Sequence, residues 1–192
     1  MIIVICNPHL EMYNNRIIYI SGVHGVGKDT ICSILEKRLG LKHLSSSKIL
    51  KWDEYSINLK NKRVSSVEET QNSFVENFKS YLEGDLIYIL DGHFALLTAT
   101  YEIEDIPMFV YDEIKPLIII LITLAPNVII SRLRKRDSML YDVNIVNELQ
   151  ERERGNAYNV GRKLGIDVVE INNTDIEKSI ELIENVINKL NL

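Results

Sequence analysis

Short runs of apolar residues alternate with longer amphipathic segments along most of this chain. The short runs predict buried strands at Ile17–Ile20, Leu86–Leu90, Leu117–Leu124 and Val168–Ile171, with a shorter strand at His43–Ser45. Parallel strands need a crossover connection, usually a helix, and the longer segments supply it. The pattern therefore predicts an α/β fold with a parallel central sheet covered by helices on both faces.

The amphipathic segments carry apolar residues at helical spacing. The first runs from Ile31 to Leu39 and is predicted to end at Gly40, and another extends from Ser66 past Phe78 until Gly84. Further helices are predicted at Asn127–Arg136, at Val143–Leu164 and through Ile176, Ile180, Ile183, Ile187 and Leu190. These helices are long enough to cover the predicted sheet.

The patterning is weaker between the second strand and the helix that begins near Ser66. Three serines, Ser45, Ser46 and Ser47, offer an N-cap for a short helix that would reach Trp52. The segment Asn58–Arg63 is predicted to be a basic loop.

Composition places the chain among compact globular proteins. Its 192 residues allow one domain, and 46% apolar residues are enough to bury a core without disulfides. The net charge of −5 argues against a protein held on DNA mainly by counterion release, although a local basic patch remains compatible with it. Cys6 and Cys32 lack the spacing of a disulfide framework or a zinc site, so a reducing, cytoplasmic setting is expected.

No segment of the sequence is predicted to enter a membrane or to direct export. The longest apolar run, Leu117–Ala125, is about half the length of a membrane helix, and Arg132 follows soon after it. Residues 1–15 precede the first predicted strand, and they are expected to form a peripheral N-terminal extension, with an edge strand through Ile2–Ile5 as one form.

A glycine-rich stretch, here called the phosphate loop, follows the first buried strand and opens the first helix. It fits the pattern GxxxxGK and consists of Gly22, Val23, His24, Gly25, Val26, Gly27, Lys28, Asp29 and Thr30. Its glycines let successive backbone N–H groups point at phosphates, and Lys28 can reach the β- and γ-phosphates. A chance glycine turn is the alternative, but the strand before it and the helix after it favour nucleotide binding.

One position departs from the pattern. Asp29 stands where a serine or threonine usually ligates Mg²⁺, and Thr30 comes one residue later. Either Asp29 holds the ion, directly or through water, or Thr30 caps the loop and the metal is held elsewhere. A third reading is a weakened nucleotide site, because an unscreened carboxylate would repel the phosphates.

The predicted strand Leu86–Leu90 runs directly into Asp91. Ligands of open α/β sheets bind at the carboxyl ends of strands, so Asp91 and the phosphate loop are expected to face one crevice. Asp91 is a candidate metal-organising acid, although an aspartate at a strand end also forms turns. His93 either contacts the substrate or only caps the turn.

Four cations occur within five residues near the end of a predicted helix: Arg132, Arg134, Lys135 and Arg136. Arg132 and Arg136 share one helical face, and arginines placed beside a transferred phosphate stabilise its charge. The alternative is a solvated basic helix end favoured by the helix dipole. Further along, Arg152, Arg154 and Arg162 are expected to form surface ion pairs with Glu148, Glu151 and Glu153.

Gln71 lies on the same helical face as Val67, Phe74 and Phe78, where an apolar residue is expected. A buried amide must find partners. It is either a core amide bonded to backbone or a group that reads the base or ribose of an acceptor.

The order of these features resembles the nucleoside monophosphate kinase group. The motifs that carry the resemblance are the phosphate loop, the strand that ends in Asp91, Gly92, His93 and Phe94, and the arginine-rich segment. The compact archaeal-type adenylate kinases and their bacterial ATP-binding relatives are the most similar, over roughly residues 16 to 190. The resemblance implies a single domain over residues 1–192 with a three-layer P-loop NTPase fold, an acceptor-binding arm at 45–83 and a short arginine-rich lid at 132–142.

The resemblance also implies roles for residues. ATP and Mg²⁺ would be the cofactors, with Lys28 on the β- and γ-phosphates, Asp91 ordering Mg²⁺ through water, and Arg132 and Arg136 in a lid that closes on ATP. Acceptor contacts would come from Ser47, Gln71 and His93. The Gly-Lys-Asp-Thr variant resembles the loop of some phage-type deoxynucleotide kinases, so Asp29 is compatible with activity. Residues 137–142 lack the further arginine that such lids often carry, which leaves the clamp on the acceptor phosphate open.

Three functions remain from the sequence. The first is a kinase whose small-molecule acceptor is a nucleoside monophosphate. The second is a kinase of a nucleic-acid 5′ end, with Lys60, Lys62 and Arg63 as the landing surface. The third, suggested by Asp29, is a nucleotide-binding module without catalysis. No membrane partner is expected.

Overall fold

The computed structural model describes residues 16–50, 56–58, 63–64, 67–84, 86–98, 100–137 and 141–190. Within these ranges the elements in chain order are β1 (Ile17–Ser21), α1 (Lys28–Leu39), β2 (Lys42–Ser45), α2 (Ser46–Ile49), β3 (Ser56–Asn58), β4 (Arg63–Val64), α3 (Val67–Phe78), a 3-10 turn (Lys79–Tyr81), β5 (Tyr88–Asp91), β6 (Ala95–Leu97), β7 (Ile103–Asp105), α4 (Met108–Ile114), β8 (Ile118–Thr123), α5 (Pro126–Asp137), α6 (Val143–Leu164), β9 (Val168–Asn172) and α7 (Ile176–Asn188).

Five strands form a parallel sheet in the order β2-β5-β1-β8-β9. The central strand β1 is buried along its whole length, which explains why its sequence is continuously apolar up to Ile20 rather than alternating. Its side chains pack alternately against the two faces: Ile18 and Ile20 belong to one core, and Ile17 and Tyr19 to the other. The expectation of a parallel sheet covered on both faces is confirmed.

Each face of the sheet has its own layer of helices. Buried residues of α1, α5 and α7 pack on the face of Ile18, whereas α2, α3 and α4 pack on the face of Tyr19. The helix α6 contributes to both cores, with Val146 on the face of Ile18 and with Ala157 and Val160 on the face of Tyr19. The result is the three-layer P-loop NTPase fold that the sequence predicted. The carboxyl ends of β1, β2 and β5 point to the same edge of the sheet because these strands are parallel.

Most of the predicted elements are present, with small shifts at their ends. The helix from Val143 to Leu164 has the predicted bounds, and Gly40 ends α1 in the left-handed conformation with φ 68°. The strand expected from Leu86 begins at Tyr88, since Leu86 is 39% exposed and lies outside the sheet. The helix α4 and the hairpin of β6 and β7 were not predicted.

The region after β2 differs from its prediction in detail. Ser45 does occupy the N-cap position of α2, but its hydroxyl bonds the hydroxyl of Ser47 at 2.9 Å instead of capping the helix. The two ends of the expected basic loop pair as strands, with Asn58 opposite Arg63. Trp52, Lys60, Lys62 and the extension at 1–15 lie outside the described residues.

None of the helices in the described part of the chain has the length and apolar character needed to cross a membrane. The apolar run at 117–125 is instead the buried strand β8.

Candidate active site

The predicted site residues meet in a cavity of about 410 Å³ beside the carboxyl ends of the strands. This is where open α/β sheets bind their ligands. The predicted residues that line it are Val23, His24, Gly25, Gly27, Lys28, Asp29, Thr30, Ser47, Gln71, Asp91, His93, Arg132 and Arg136. Gly22 and Val26 are buried within the phosphate loop and do not line the cavity.

The phosphate loop connects β1 directly to α1, as predicted. Gly22 has φ 139°, and a Cβ at this position would collide with the carbonyl oxygen of Ile122 in β8. Gly27, with φ 106°, is the residue that precedes the first turn of α1. The loop therefore turns tightly against the sheet and leads into a helix N-terminus, which is a ready anion-binding arrangement.

Lys28 is the first residue of α1 and is only 6% exposed. Its ammonium group donates to the carbonyl of Gly22 and, at 3.5 Å, to the carbonyl of Val23. Burial lowers the pKa of Lys28, and the nearby carboxylates of Asp91 and Glu153 oppose that change. A bound phosphate would offer the ammonium group stronger acceptors than these two carbonyls.

Three oxygen donors that suit Mg²⁺ lie around the same cavity. Asp29 and Thr30 are exposed and line it, and Asp91 lies at the end of β5. Hard cations prefer carboxylate and hydroxyl oxygen ligands, so this set fits Mg²⁺. Asp29 lines the same cavity as Asp91, from the first turn of α1.

Asp91 is held by neighbours that the sequence did not single out. Its Oδ2 lies 2.7 Å from Nε2 of His43 in β2, and its backbone carbonyl accepts from the hydroxyl of Ser46 at 2.7 Å. Ligand atoms of Cys32, His43 and Asp91 all lie within 4.8 Å of one another. The parallel pairing of β2 and β5 brings His43 and Asp91 together, and Cys32 reaches them from α1; neither contact could be read from local spacing.

His93 is fixed through its backbone as well as by its ring. Its carbonyl oxygen accepts from the hydroxyls of Tyr19 and Tyr111, each at 2.9 Å. Burial raises the pKa of both tyrosines well above the usual value, so both remain donors. The ring of His93 lies 4.3 Å from that of His24, centroid to centroid, and both line the cavity. The position suits the substrate contact that the sequence left open.

The arginine-rich segment divides into two faces. Arg132 and Arg136 line the cavity, while Arg134 and Lys135 are exposed and do not. Nη1 of Arg132 donates to the carbonyls of Val26, at 3.1 Å, and Gly25, at 3.3 Å. All four cations belong to α5, so the first part of the expected lid at 132–142 is helical, and residues 138–140 lie outside the described ones.

The part of the cavity bordered by α2, α3 and α4 has apolar walls with a few polar groups. Gln71 of α3 is 5% exposed and lines the cavity beside Phe74. The hydroxyls of Ser46 and Ser47 lie at the start of α2. The apolar lining comes from Leu50, Phe74, Leu96, Ile106, Val110 and Ile114. Such a pocket, apolar with few convergent polar groups, is typical of sites for small organic ligands.

Glu153 is the main correction to the expected surface ion pairs. Arg154 does pair with Glu151 at 2.7 Å, but Glu153 has no exposed surface. Its carboxylate accepts from the backbone N–H groups of Gly22, Phe94 and Ala95. The buried stripe of α6 gave a signal for this, because the spacing through Val146, Gln150, Glu153, Ala157 and Val160 is four, three, four and three.

A second residue that sequence reasoning missed contacts the phosphate loop. Asn173 follows β9, is 1% exposed, and donates through Nδ2 to the carbonyl of Val26 at 2.7 Å. A Cβ at Gly27 would also collide with this amide. Asn173 therefore helps to fix the phosphate loop from the opposite end of the chain.

Comparison with known proteins connects this site to kinases. A family model described as AAA domain matches residues 21–150, which include the phosphate loop, Asp91 and the arginine-rich segment. Adenylate kinase from Saccharolobus islandicus (strain M.14.25 / Kamchatka #1) is 26% identical over 182 residues, covering 84% of this chain and 92% of that protein. Adenylate kinase from Sulfurisphaera tokodaii is 27% identical over 134 residues, covering 62% and 68%.

Solved structures share the fold at lower identity. A gluconokinase from Sinorhizobium meliloti 1021 has a TM-score of 0.56 and 9% identity, covering 93% of this chain and 96% of its own. A deoxyadenosine kinase from M. mycoides has a TM-score of 0.54 and 20% identity, covering 91% and 99%. At these identities the likeness concerns the fold alone.

Proposed function

The chain belongs to the AAA domain family and to the P-loop nucleoside monophosphate kinase group, and from that premise we propose that it transfers the γ-phosphate of Mg·ATP to a nucleoside monophosphate. As a kinase-like P-loop phosphotransferase it needs a donor site and an acceptor site that face each other. The observation that carries the proposal is that one cavity joins the phosphate loop and two arginines to an apolar pocket with amide, hydroxyl and imidazole groups.

The donor half would be formed by the phosphate loop and α5. Backbone N–H groups of the loop and the N-terminus of α1 would hold the phosphates, and Lys28 would leave its loop carbonyls to bind the β- and γ-phosphates. Arg132 and Arg136 would stabilise charge on the equatorial oxygens of the transferred group. Asn173 would keep the loop in place through the carbonyl of Val26.

Asp29, Thr30 and Asp91 would hold Mg²⁺, directly or through water, and the ion would neutralise charge that develops between the β- and γ-phosphates. His43 would orient the Asp91 carboxylate from the side of β2.

The acceptor half would bind the nucleoside between the apolar walls near Leu50 and Phe74. Gln71, with both donor and acceptor atoms, would read a base edge or a ribose hydroxyl, and Ser47 and His93 would contact the acceptor beside the transferred phosphate. An oxygen of the acceptor phosphate forms the new bond to the γ-phosphorus while the bond to the β–γ bridging oxygen breaks. The products are ADP and a nucleoside diphosphate.

The acceptor is identified by a transfer screen with γ-labelled ATP and Mg²⁺. Separate reactions contain each common ribo- and deoxyribonucleoside monophosphate, the matching nucleosides, and a 5′-hydroxyl oligonucleotide. We expect label on one or a few monophosphates and none in the same reactions run with Lys28→Ala. Label on the oligonucleotide or on nucleosides alone would replace the proposed acceptor, and nucleotide binding without transfer to any of them would favour a non-catalytic module.

A further inference from the structure

The carboxylate of Glu153 bonds two segments that border the cavity, the phosphate loop after β1 and the turn after β5, which are here called the two walls. Oε1 accepts from the N–H of Gly22, the first residue of the phosphate loop, at 2.9 Å. Oε2 accepts from the N–H groups of Phe94 and Ala95 at 2.7 and 2.8 Å. Phe94 follows Asp91 and His93 on the turn that leaves β5, so a single side chain contacts both the donor loop and the acceptor turn.

The burial of the Glu153 carboxylate costs free energy. Glu153 has no exposed surface, and an isolated buried carboxylate costs far more than a buried neutral group. Burial raises the pKa of Glu153 to about 7, while the Lys28 ammonium and the three N–H donors favour the ionised form. Gln150, which precedes Glu153 on the buried face of α6, bonds buried backbone groups with a neutral amide instead.

A carboxylate differs from that amide in having two acceptor oxygens. The glutamine amide of Gln150 accepts from the N–H of Leu124 and donates to its carbonyl, at 3.0 Å each, because Leu124 presents one donor and one acceptor. The groups that Glu153 meets are all donors, namely the backbone N–H groups of Gly22, Phe94 and Ala95. A glutamine at 153 would turn its NH₂ group towards one of the two walls and would lose the contact on that side.

We propose that Glu153 is a positioning residue that ties the phosphate loop to the Asp91–His93 turn and thereby sets the separation across which the phosphate is transferred. The inference rests on the proposed function, in which the phosphate loop holds the donor and the Asp91–His93 turn contacts the metal and the acceptor. Phosphoryl transfer depends on aligned reactants, and a displacement of about 1 Å costs on the order of 100-fold in rate. Loosening one wall from the other should therefore slow transfer more than it weakens either binding event.

The kinetic test compares Glu153→Gln with Gln150→Leu as a matched control at pH 8, above the pKa of Glu153, where both oxygens of its carboxylate accept. Both residues are buried on the same face of α6, and both bond backbone groups, but Gln150 bonds only Leu124 after β8. We expect Glu153→Gln to lower kcat by roughly 10- to 100-fold with the KM for ATP changed less than about threefold. Gln150→Leu should lower Tm at least as much and change kcat less than about threefold. An unchanged kcat in Glu153→Gln, or an equal loss in the control, would overturn the proposal.

A binding measurement separates this proposal from the proposed function. The backbone amide signals of wild type and Glu153→Gln are followed by NMR while Mg²⁺ and a non-hydrolysable ATP analogue are added. In wild type the signals of Gly22, Phe94 and Ala95 should shift together, and in Glu153→Gln the response should be lost on at least one wall. The outcome does not depend on turnover, so it stands even if the screen finds no acceptor. If the Phe94 and Ala95 signals of wild type do not shift when the analogue binds, the proposed coupling between the two walls is wrong.

Discussion

At the scale of the residue, Lys28 places a buried positive charge in the proposed donor site. The Lys28 side chain is 6% exposed and bonds carbonyls of its own loop. Lys28→Ala should reduce turnover by roughly 100- to 1,000-fold, the size seen when one preorganised transition-state donor is removed. Its Tm should stay near that of wild type, since the change removes a buried charge along with its hydrogen bonds. Steady-state kinetics and a melting curve of Lys28→Ala test both expectations. Turnover equal to that of wild type would show that Lys28 has no role in the transfer.

Gln71 is buried and lines the proposed acceptor half of the cavity. Kinetics can decide whether its amide contacts the acceptor or only bonds the backbone in the core. If the amide contacts the acceptor, Gln71→Leu should lower kcat/KM for the acceptor by about tenfold, or about 1.4 kcal/mol, with ATP binding and Tm nearly unchanged. A lower Tm with unaltered acceptor kinetics would assign Gln71 to the core instead.

The buried Glu153 makes stability depend on pH in a direction opposite to that of most acids. Its pKa is about 7 in the fold, above the usual value of 4.5, so between these values the folded chain keeps a proton that the unfolded chain has released. The stability that this group contributes is therefore present below about pH 4.5 and is lost as the pH rises to about 7. Lys28 from α1, Tyr19 from β1 and Tyr111 from α4 face it, and Lys28 limits the rise while the tyrosines stay neutral.

Denaturant unfolding of wild type and Glu153→Gln between pH 5 and 8 measures this effect. The free energy of unfolding of wild type relative to the variant should fall with rising pH, by at most about 1.4 kcal/mol per pH unit for one proton. Parallel curves would mean that Glu153 does not titrate in this range.

At the scale of the element, the helix α5 offers its own internal control. Arg132 and Arg136, four residues apart, line the cavity, while Arg134 on another face does not. Arg136→Ala should lower kcat by roughly tenfold or more, because it removes charge beside the transferred phosphate, whereas Arg134→Ala should stay within about twofold of wild type. Equal effects of the two substitutions would indicate a general basic surface and not a positioned arginine.

The elements that the sequence predicted best are those whose packing is simple. The strand at Ile17–Ser21 is buried on both faces and its sequence is almost entirely apolar. The helix α6 is 22 residues long, so its helical period repeats several times along the sequence. The helix α4 has only seven residues, which is under two full turns of the apolar repeat. The hairpin of β6 and β7 consists of three-residue strands, which are too short for an alternating pattern to be distinctive.

At the scale of the whole molecule, the same contrast separates the parts of the site that could be predicted from those that could not. The phosphate loop is local, so its spacing was sufficient, and Asp91 followed from its place at a strand end. His43 meets Asp91 only through the pairing of β2 with β5, and Glu153 reaches Gly22 across 131 positions of sequence. Such contacts depend on the packing of elements, which no local pattern specifies.

The cavity brings all these residues together, and in the proposed reaction a phosphate crosses it from donor to acceptor. The most direct measurement is a ³¹P NMR time course of the purified protein with Mg·ATP and a mixture of nucleoside monophosphates. We expect the γ-phosphate signal of ATP to decline while two nucleoside diphosphate β-phosphates, one from the donor and one from the acceptor, appear for each γ-phosphate lost. The proposed transfer would be contradicted if ATP remained intact, or if each γ-phosphate lost appeared as inorganic phosphate.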